Sequence, residues 1–217
     1  MTNFDLAQTD RLMQTTKQVR KRLDLTRTVP VNTVLDCIDI ASRAPIGGNM
    51  QVNRWLLIDD AKKIHALASL YGEYGKDYLE NGKKQVEQLG SDPTAKRVVE
   101  SSIYLLEHLK DVPLMIIPLR IGLPGKSLFE QATFFGSVLP GVWSLQMALR
   151  SRGIGSAWTT LHLYNDLKAN DLLGIPDTVT QVALLPTAYY TGNDFIPSKR
   201  RDAKEITYHN TWKDPVS

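Results

Sequence analysis

Cysteine is almost missing from this chain, with Cys37 the single one in 217 residues. One thiol cannot close an internal disulfide or build a cysteine-based metal cluster. No run apolar enough over about 18–20 residues to cross a bilayer as a helix is expected either. The first residues, Met1-Thr2-Asn3-Phe4-Asp5, carry no basic segment followed by an apolar one, so no secretory leader is expected. The cytosol is the expected compartment. Charge of one sign is scarce: 26 basic against 23 acidic residues leave +3, too little to argue for nucleic acid by itself. Neither an internal repeat nor a low-complexity tract nor a clear linker divides the chain. What remains is ordinary globular composition, 42% hydrophobic, in a chain long enough to bury a core of its own.

Hydrophobic spacing predicts a helix over 4–15, with Leu6, Leu12 and Met13 inward. A second helix is expected from a cap at Asn32 or Thr33 to about Arg43, burying Val34, Leu35, Ile38 and Ala41. Cys37 lies near that stripe and reads as a small core residue. A short strand follows at 54–58, then a helix capped by Asp60 and running to about Leu70. Residues 71–110 are helix-rich and polar, punctuated by Gly72, Gly75, Gly82 and Gly90-Ser91-Asp92-Pro93. Their best helix is 94–109, with Val98, Val99, Ser102, Leu105, Leu106 and Leu109 at helical spacing. His108 at its end suits the helix dipole, since no second ligand-type residue is spaced to share a metal with it. The run 113–119 reads as a strand buried on both faces and bounded by Pro113 and Pro118. After a loop at 122–126 and three phenylalanines, a helix at 139–152 stops at Gly153. Small residues and threonines fill 154–160, a helix covers 164–173, and a central strand interrupted at Pro186 spans 180–189. The sum is a single α+β unit with about four core strands.

Four stretches carry chemistry. In Ala44-Pro45-Ile46-Gly47-Gly48-Asn49-Met50-Gln51, Pro45 ends the preceding helix and the two glycines allow positive φ and close backbone approach. Asn49 and Gln51 add amides, so the loop can hold a flat polar heterocycle. It can equally be a helix-to-strand connection in which glycine serves only the turn. The basic run Lys17-Gln18-Val19-Arg20-Lys21-Arg22 is either a solvated face or an anion site, where arginine grips phosphate through paired hydrogen bonds. No aromatics interleave with it as a single-strand binder would need. Ile154 to Thr160 suggests backbone held close to a ligand, or an ordinary strand admitting a neighbouring helix. The tail carries Lys199-Arg200-Arg201 and then Ile206, Tyr208 and Trp212, large apolar residues that need a surface to dock on, for instance a partner subunit.

Taken together these segments resemble the FMN-dependent nitroreductase family, and more closely a subgroup often seen in actinobacteria. The resemblance runs from about residue 9 to 212. It rests on 15–24, 44–51, Leu139-Pro140-Gly141-Val142-Trp143-Ser144 with 148–155, and Ala157-Trp158-Thr159-Thr160-Leu161-His162-Leu163. Leu173-Gly174-Ile175-Pro176, 180–186 and the tail complete it. The order and spacing of these motifs are more specific than any one of them. The resemblance implies a nitroreductase-like α+β fold: a central, mostly antiparallel sheet flanked by helices, in an intertwined homodimer. The C-terminal tail, from about 195, would wrap the partner. It implies one FMN in each of two interfacial clefts. Arg20, Lys17 and Gln18 would hold phosphate and ribityl, with Lys199, Arg200 and Arg201 adding phosphate contacts. Pro45, Ile46, Gly47, Asn49 and Gln51 of the other subunit would line the ring. The Thr159-Thr160-Leu161 backbone would approach it with an N–H near N5. No catalytic side chain or metal is implied. Three departures stand out: Ile46 where the family usually has a hydroxyl residue, Lys17-Gln18 where it often has arginine and serine, and Asp202-Ala203 after the arginines.

The function implied is electron transfer from NADH or NADPH through FMN to an electron-poor acceptor, a nitroaromatic or quinone, in ping-pong order. A specialised member acting on an enone, halogenated or biosynthetic substrate is an alternative, as is an FMN-binding sensor with little turnover. Neither nucleic acid nor membrane is expected as a partner.

Overall fold

The second strand, β2 (Leu114–Ile121), is buried at every position but its last and organises the sheet. In the computed structural model, which describes residues 4–88, 90 and 92–216, β1 (Asn53–Ile58) pairs with it antiparallel from Asn53 opposite Arg120 to Ile58 opposite Met115. On the other side of β2, β5 (Leu185–Tyr189) pairs with residues 114–116 and β4 (Val179–Gln181) with residues 119–121. The three-residue β3 (Ile154–Ser156) borders β5. The order is β1-β2-β5-β3, antiparallel throughout, the open antiparallel sheet expected. Ser91 and the first three residues, read above for turn and leader signals, lie outside the described residues.

Pro118 does not end β2 as expected, because its missing N–H costs no ladder bond. Its carbonyl accepts from Val182 N–H, and a donor on the same residue would point the same way, where pairing passes from β5 to β4. The expected strand over 180–189 is accordingly two, broken at 182–184 and not at Pro186, which pairs with Met115.

Residues Lys17–Gly192 form one compact unit. On one sheet face, α2 (Val31–Ala41) and α6 (Leu139–Arg150) pack Val34, Cys37, Ala41, Val142, Leu145 and Leu149 onto Leu114, Ile116, Ile154 and Leu185. Each valine, leucine or isoleucine among them contributes about 1.5–3 kcal/mol by leaving water. Met115 and Ile117, which alternate with these, are also fully buried. Pro30, not Asn32 or Thr33, precedes α2, with no side-chain cap. Leu35 is exposed, because Val34, Cys37, Ile38 and Ala41 fill the face that meets the sheet.

The breaks expected at Gly72, Gly75 and Gly82 are absent, while Gly90, at φ 63°, does stand between two helices: α3 is one helix from Ala61 to Gln88, capped by Asp60, whose carboxylate accepts from Lys63 N–H at 2.9 Å. It packs on α4 (Pro93–His108). Gly72 and Gly75 are buried; a Cβ on Gly75 would lie 3.3–3.4 Å from Leu106, Leu161 and Tyr71. The glycines serve close packing, and packing outweighs the roughly 1 kcal/mol helix penalty of each. Val98 of α4, expected inside, is half exposed. A helix not anticipated, α5 (Leu128–Gly136), starts at a capping box of Ser127 and Glu130. After β3, a 3-10 turn at Leu161–Asn165 leads into α7 (Asp166–Leu173), which Gly174 ends at φ 67°.

Residues 4–16 and 193–216 make up the other unit. Its helix α1 (Leu6–Thr15) is capped by Asp5, and Arg11 pairs with Asp194 at 2.5 Å. In the tail, Tyr208 and Trp212 meet edge to face at 4.7 Å. Both are exposed, as are Ile196 and Ile206.

Candidate functional site

The basic run lies along β3. Val19 N–H donates to the Ser156 carbonyl at 2.9 Å, and Asp24 N–H to the Tyr189 carbonyl at 2.7 Å. The Gln18 side-chain oxygen accepts from Trp158 N–H, so Gln18 is spent partly on tying its own strand to the segment after β3. Beneath it the buried Gln146 amide donates to Ser156 Oγ at 3.0 Å. Lys17, Gln18 and Arg20 are half-buried.

Arg20 turns towards α3 and α4. Its Nη1 reaches Ser101 Oγ at 3.5 Å, and no carboxylate among the described residues pairs with it. Burial lowers the pKa of the guanidinium, opposed by the nearby Tyr71. Tyr71 itself is 2% exposed, and its hydroxyl oxygen accepts from Thr159 Oγ1 at 3.0 Å. Burial raises its phenol pKa, opposed by the Thr159 bond and by Arg20. Thr159 is pinned from behind by paired backbone hydrogen bonds with Leu184, 2.8 and 3.0 Å. Thr160 is exposed, and Leu161 packs against Gly75 of α3. Tertiary structure thus brings together Gln18, Arg20, Thr159 and Leu161, through Tyr71 and α3. A guanidinium carries five donors, so this cluster is rich in N–H and O–H groups and has no anion of its own. It suits a ligand rich in acceptors and negative charge.

Behind the cluster His162 is fully buried, and among the described residues no group stands at hydrogen-bonding geometry to either ring nitrogen. Burial lowers its pKa to about 4, opposed by the Gln181 amide alongside. The ring is neutral near pH 7.

The glycine loop is anchored on other elements. Gly47 N–H donates to Ser137 Oγ at 3.2 Å, and Asn53 Nδ2 to the Ser137 carbonyl at 2.9 Å. Asn53 Oδ1 accepts from the buried Arg120 at 3.1 Å, whose guanidinium lies 4.9 Å from the Phe134 ring centre. Gly48 and Asn49 both take left-handed φ, 61° and 53°, in a short exposed turn at Gly47–Asn49, where Asn49 N–H donates to the Ile46 carbonyl and Met50 N–H to the Gly47 carbonyl. Pro45, Gly47, Asn49 and Gln51 are exposed and Ile46 half-buried. Ile46 and Gln51 also line a cleft of about 150 Å³ with Asn53, Trp55 and Ser137. The loop enters β1 at one sheet edge, whereas Gln18 and Arg20 flank β3 at the other. Three strand spacings separate those edges, about 14 Å.

In the other unit, Lys199, Arg200 and Arg201 are exposed, and Arg200 Nη1 donates to the Lys199 carbonyl at 3.1 Å. Among the described residues no group of three or more His, Cys, Asp or Glu could hold a metal.

Sequence reasoning missed Tyr71, Ser101, Ser137, Asn53 and Arg120. Two signals were there to read: Gly72 and Gly75 three residues apart on one helical face, and Arg120 as the lone charge in an apolar run.

A family model described as the nitroreductase family matches residues 15–189. No curated protein matches the chain. Among solved structures it is similar to oxidised iodotyrosine deiodinase bound to FMN and 3-iodo-L-tyrosine, at 20% identity and TM-score 0.70 over 93% of this chain and 98% of that one. It is similar to nitroreductase A from Vibrio parahaemolyticus at 12% and 0.69, covering 95% and 77% of the two chains. A BluB-like flavoprotein from Clostridium difficile gives 17% and 0.67, covering 94% and 99%. Likeness at these identities shows a shared fold.

Proposed function

The chain belongs to the nitroreductase family of flavin oxidoreductases, and from that premise we propose that it is an FMN-dependent enzyme. It takes electrons from NADH or NADPH and delivers them to an electron-poor small molecule such as a nitroaromatic or quinone, donor and acceptor visiting one cleft in turn. The observation that carries the reading is the placement of the two candidate residue sets at opposite sheet edges. The donor-rich cluster around Arg20 flanks β3, and the exposed loop at Gly47–Asn49 enters β1. One flavin spanning both sets is reached most directly when two copies of the chain pool them, so the working form is a homodimer.

The residues fit the group. Among the described residues Arg20 has no carboxylate partner, and it offers charge-assisted hydrogen bonds to a phosphate or an anionic ring edge. Lys17 and Gln18 precede it in the same segment. From the tail, Lys199, Arg200 and Arg201 add positive charge at the phosphate. Pro45, Ile46, Gly47, Asn49 and Gln51 of the second copy close over the ring, the two amides bonding its polar edge. Thr159, Thr160 and Leu161 hold rigid backbone against the other side. Bound FMN supplies the two-electron chemistry. The protein orients it, shields it from water and places donor and acceptor against it, so no acid–base dyad is needed. The exposed tail residues Ile206 and Trp212 cover the partner in this arrangement, which makes the chain a single FMN-binding domain with a wrapping extension. A cytosolic location, where NADH and NADPH are at hand, accords with it.

The test is direct. The purified protein, supplied with FMN, is expected to be yellow, to elute as a dimer, and to bleach anaerobically on adding NADH or NADPH. Absence of both bound flavin and bleaching overturns the proposal.

A further inference from the structure

Tyr71 matches no motif that the sequence reading singled out, yet it is the residue on which the Arg20 cluster converges. It lies one helical turn before Gly75 on α3, so both face the same way. Tyr71 takes the Thr159 hydroxyl at 3.0 Å, and Gly75 lets Leu161 approach to 3.4 Å of where a Cβ would stand. One face of α3 therefore grips the 159–161 segment at both ends. Two hydroxyls, Tyr71 and Thr159, share this one hydrogen bond, which leaves one hydroxyl hydrogen over. Arg20, the charged neighbour of the phenol, spends Nη1 on Ser101. The surplus is of donors, and the phenol, 2% exposed, cannot itself reach a ligand.

We propose that Tyr71 is a positioning residue of the flavin site: its hydroxyl takes the Thr159 hydroxyl hydrogen and so fixes the 159–161 segment beside the donors that Arg20 presents to the cofactor. The inference rests on the FMN reading above and deepens it. Burial keeps the phenol protonated, so the residue acts as a neutral dipole beside Arg20 and does not compete with an anion for it. Losing the hydroxyl leaves the ring in place but frees Thr159 Oγ1 to rotate, so the cost falls on binding of FMN.

The experiment is a double-mutant cycle, read as the FMN dissociation constant by quenching of flavin fluorescence on binding to apoprotein. Tyr71→Phe and Thr159→Val are each expected to weaken FMN binding about five- to tenfold, the size of one hydrogen bond. The double variant is expected to be no weaker than the weaker single one. Thr159→Ser, which keeps the hydroxyl, is expected to bind FMN more tightly than Thr159→Val and serves as the informative variant should Tyr71→Phe fail to fold. Unchanged affinity in Tyr71→Phe, a fully multiplicative double variant, or Thr159→Ser binding no more tightly than Thr159→Val overturns the proposal. Wild-type protein that binds no FMN overturns both this proposal and the function it rests on, so the two failures are told apart by the wild-type titration.

Discussion

Val19 lies so close over Gly155 that a Cβ on the glycine would come within 2.9 Å of the valine Cβ. The contact sits at the middle of a short ladder, with Val19 N–H on the Ser156 carbonyl. Gln18 and Arg20, on either side of Val19, inherit their placement from it. The link is from packing to function: a missing side chain in β3 sets how near the basic run approaches.

Gly155→Ala is therefore expected to destabilise the protein by about 1–3 kcal/mol, the usual cost of overpacking a buried site. FMN binding is expected to weaken along with it, since Arg20 moves with its strand. Urea unfolding and a flavin titration read the two effects separately. An alanine variant of unchanged stability would mean that Val19 yields without cost.

Ser137 holds the glycine loop through one hydroxyl, accepting from Gly47 N–H at 3.2 Å while donating to the Thr133 carbonyl at 2.8 Å. Removing it in Ser137→Ala is expected to cost about 1 kcal/mol, paid locally. Amide exchange at residues 47–50 is expected to accelerate while the strands of the sheet keep their protection. Equal protection in both proteins would show that the loop is held by its backbone alone.

His162 makes the fold sensitive to acid. Its pKa falls from an ordinary 6.5 to about 4 on burial, so between those values the unfolded chain binds the proton and the native state does not. Stability then rises with pH across that window and is lost as pH falls through it, by at most ~3 kcal/mol for this one group. In His162→Leu the pH dependence of the unfolding free energy between about 4 and 6.5 is expected to flatten. A wild-type acid limb that survives the substitution assigns the loss to other groups.

Local chemistry carried most of what could be read early. The apolar run at 114–117, the Asp60 cap, the Gly153 stop and the positive φ of Gly48 all act within a few residues, where spacing and side-chain type suffice; the second positive φ, at Asn49 and not at Gly47, was missed. Leu35 and Val98 were misplaced because an apolar residue at helical spacing is buried only if a neighbour arrives to cover it. Gly72, Gly75 and Gly82 were read as breaks because propensity is a local preference. Contacts with Leu106 and Leu161, distant in the chain, reverse the reading at Gly75. Pro118 shows the same limit, since whether a missing donor matters depends on what the opposite strand does at that point.

By itself the sequence determined most of the elements, though not α5 or the division of 180–189 into two strands, and with them the donor and acceptor types and the order in which basic run, glycine loop and threonine segment follow one another. That is chemistry written into each residue. Which of them meet was decided only when the sheet closed: Arg20 beside Tyr71 and Thr159 at one edge, the Gly47 loop on Ser137 at the other. Pairing of strands far apart in the chain is a property of the whole packed core, and no window of residues contains it.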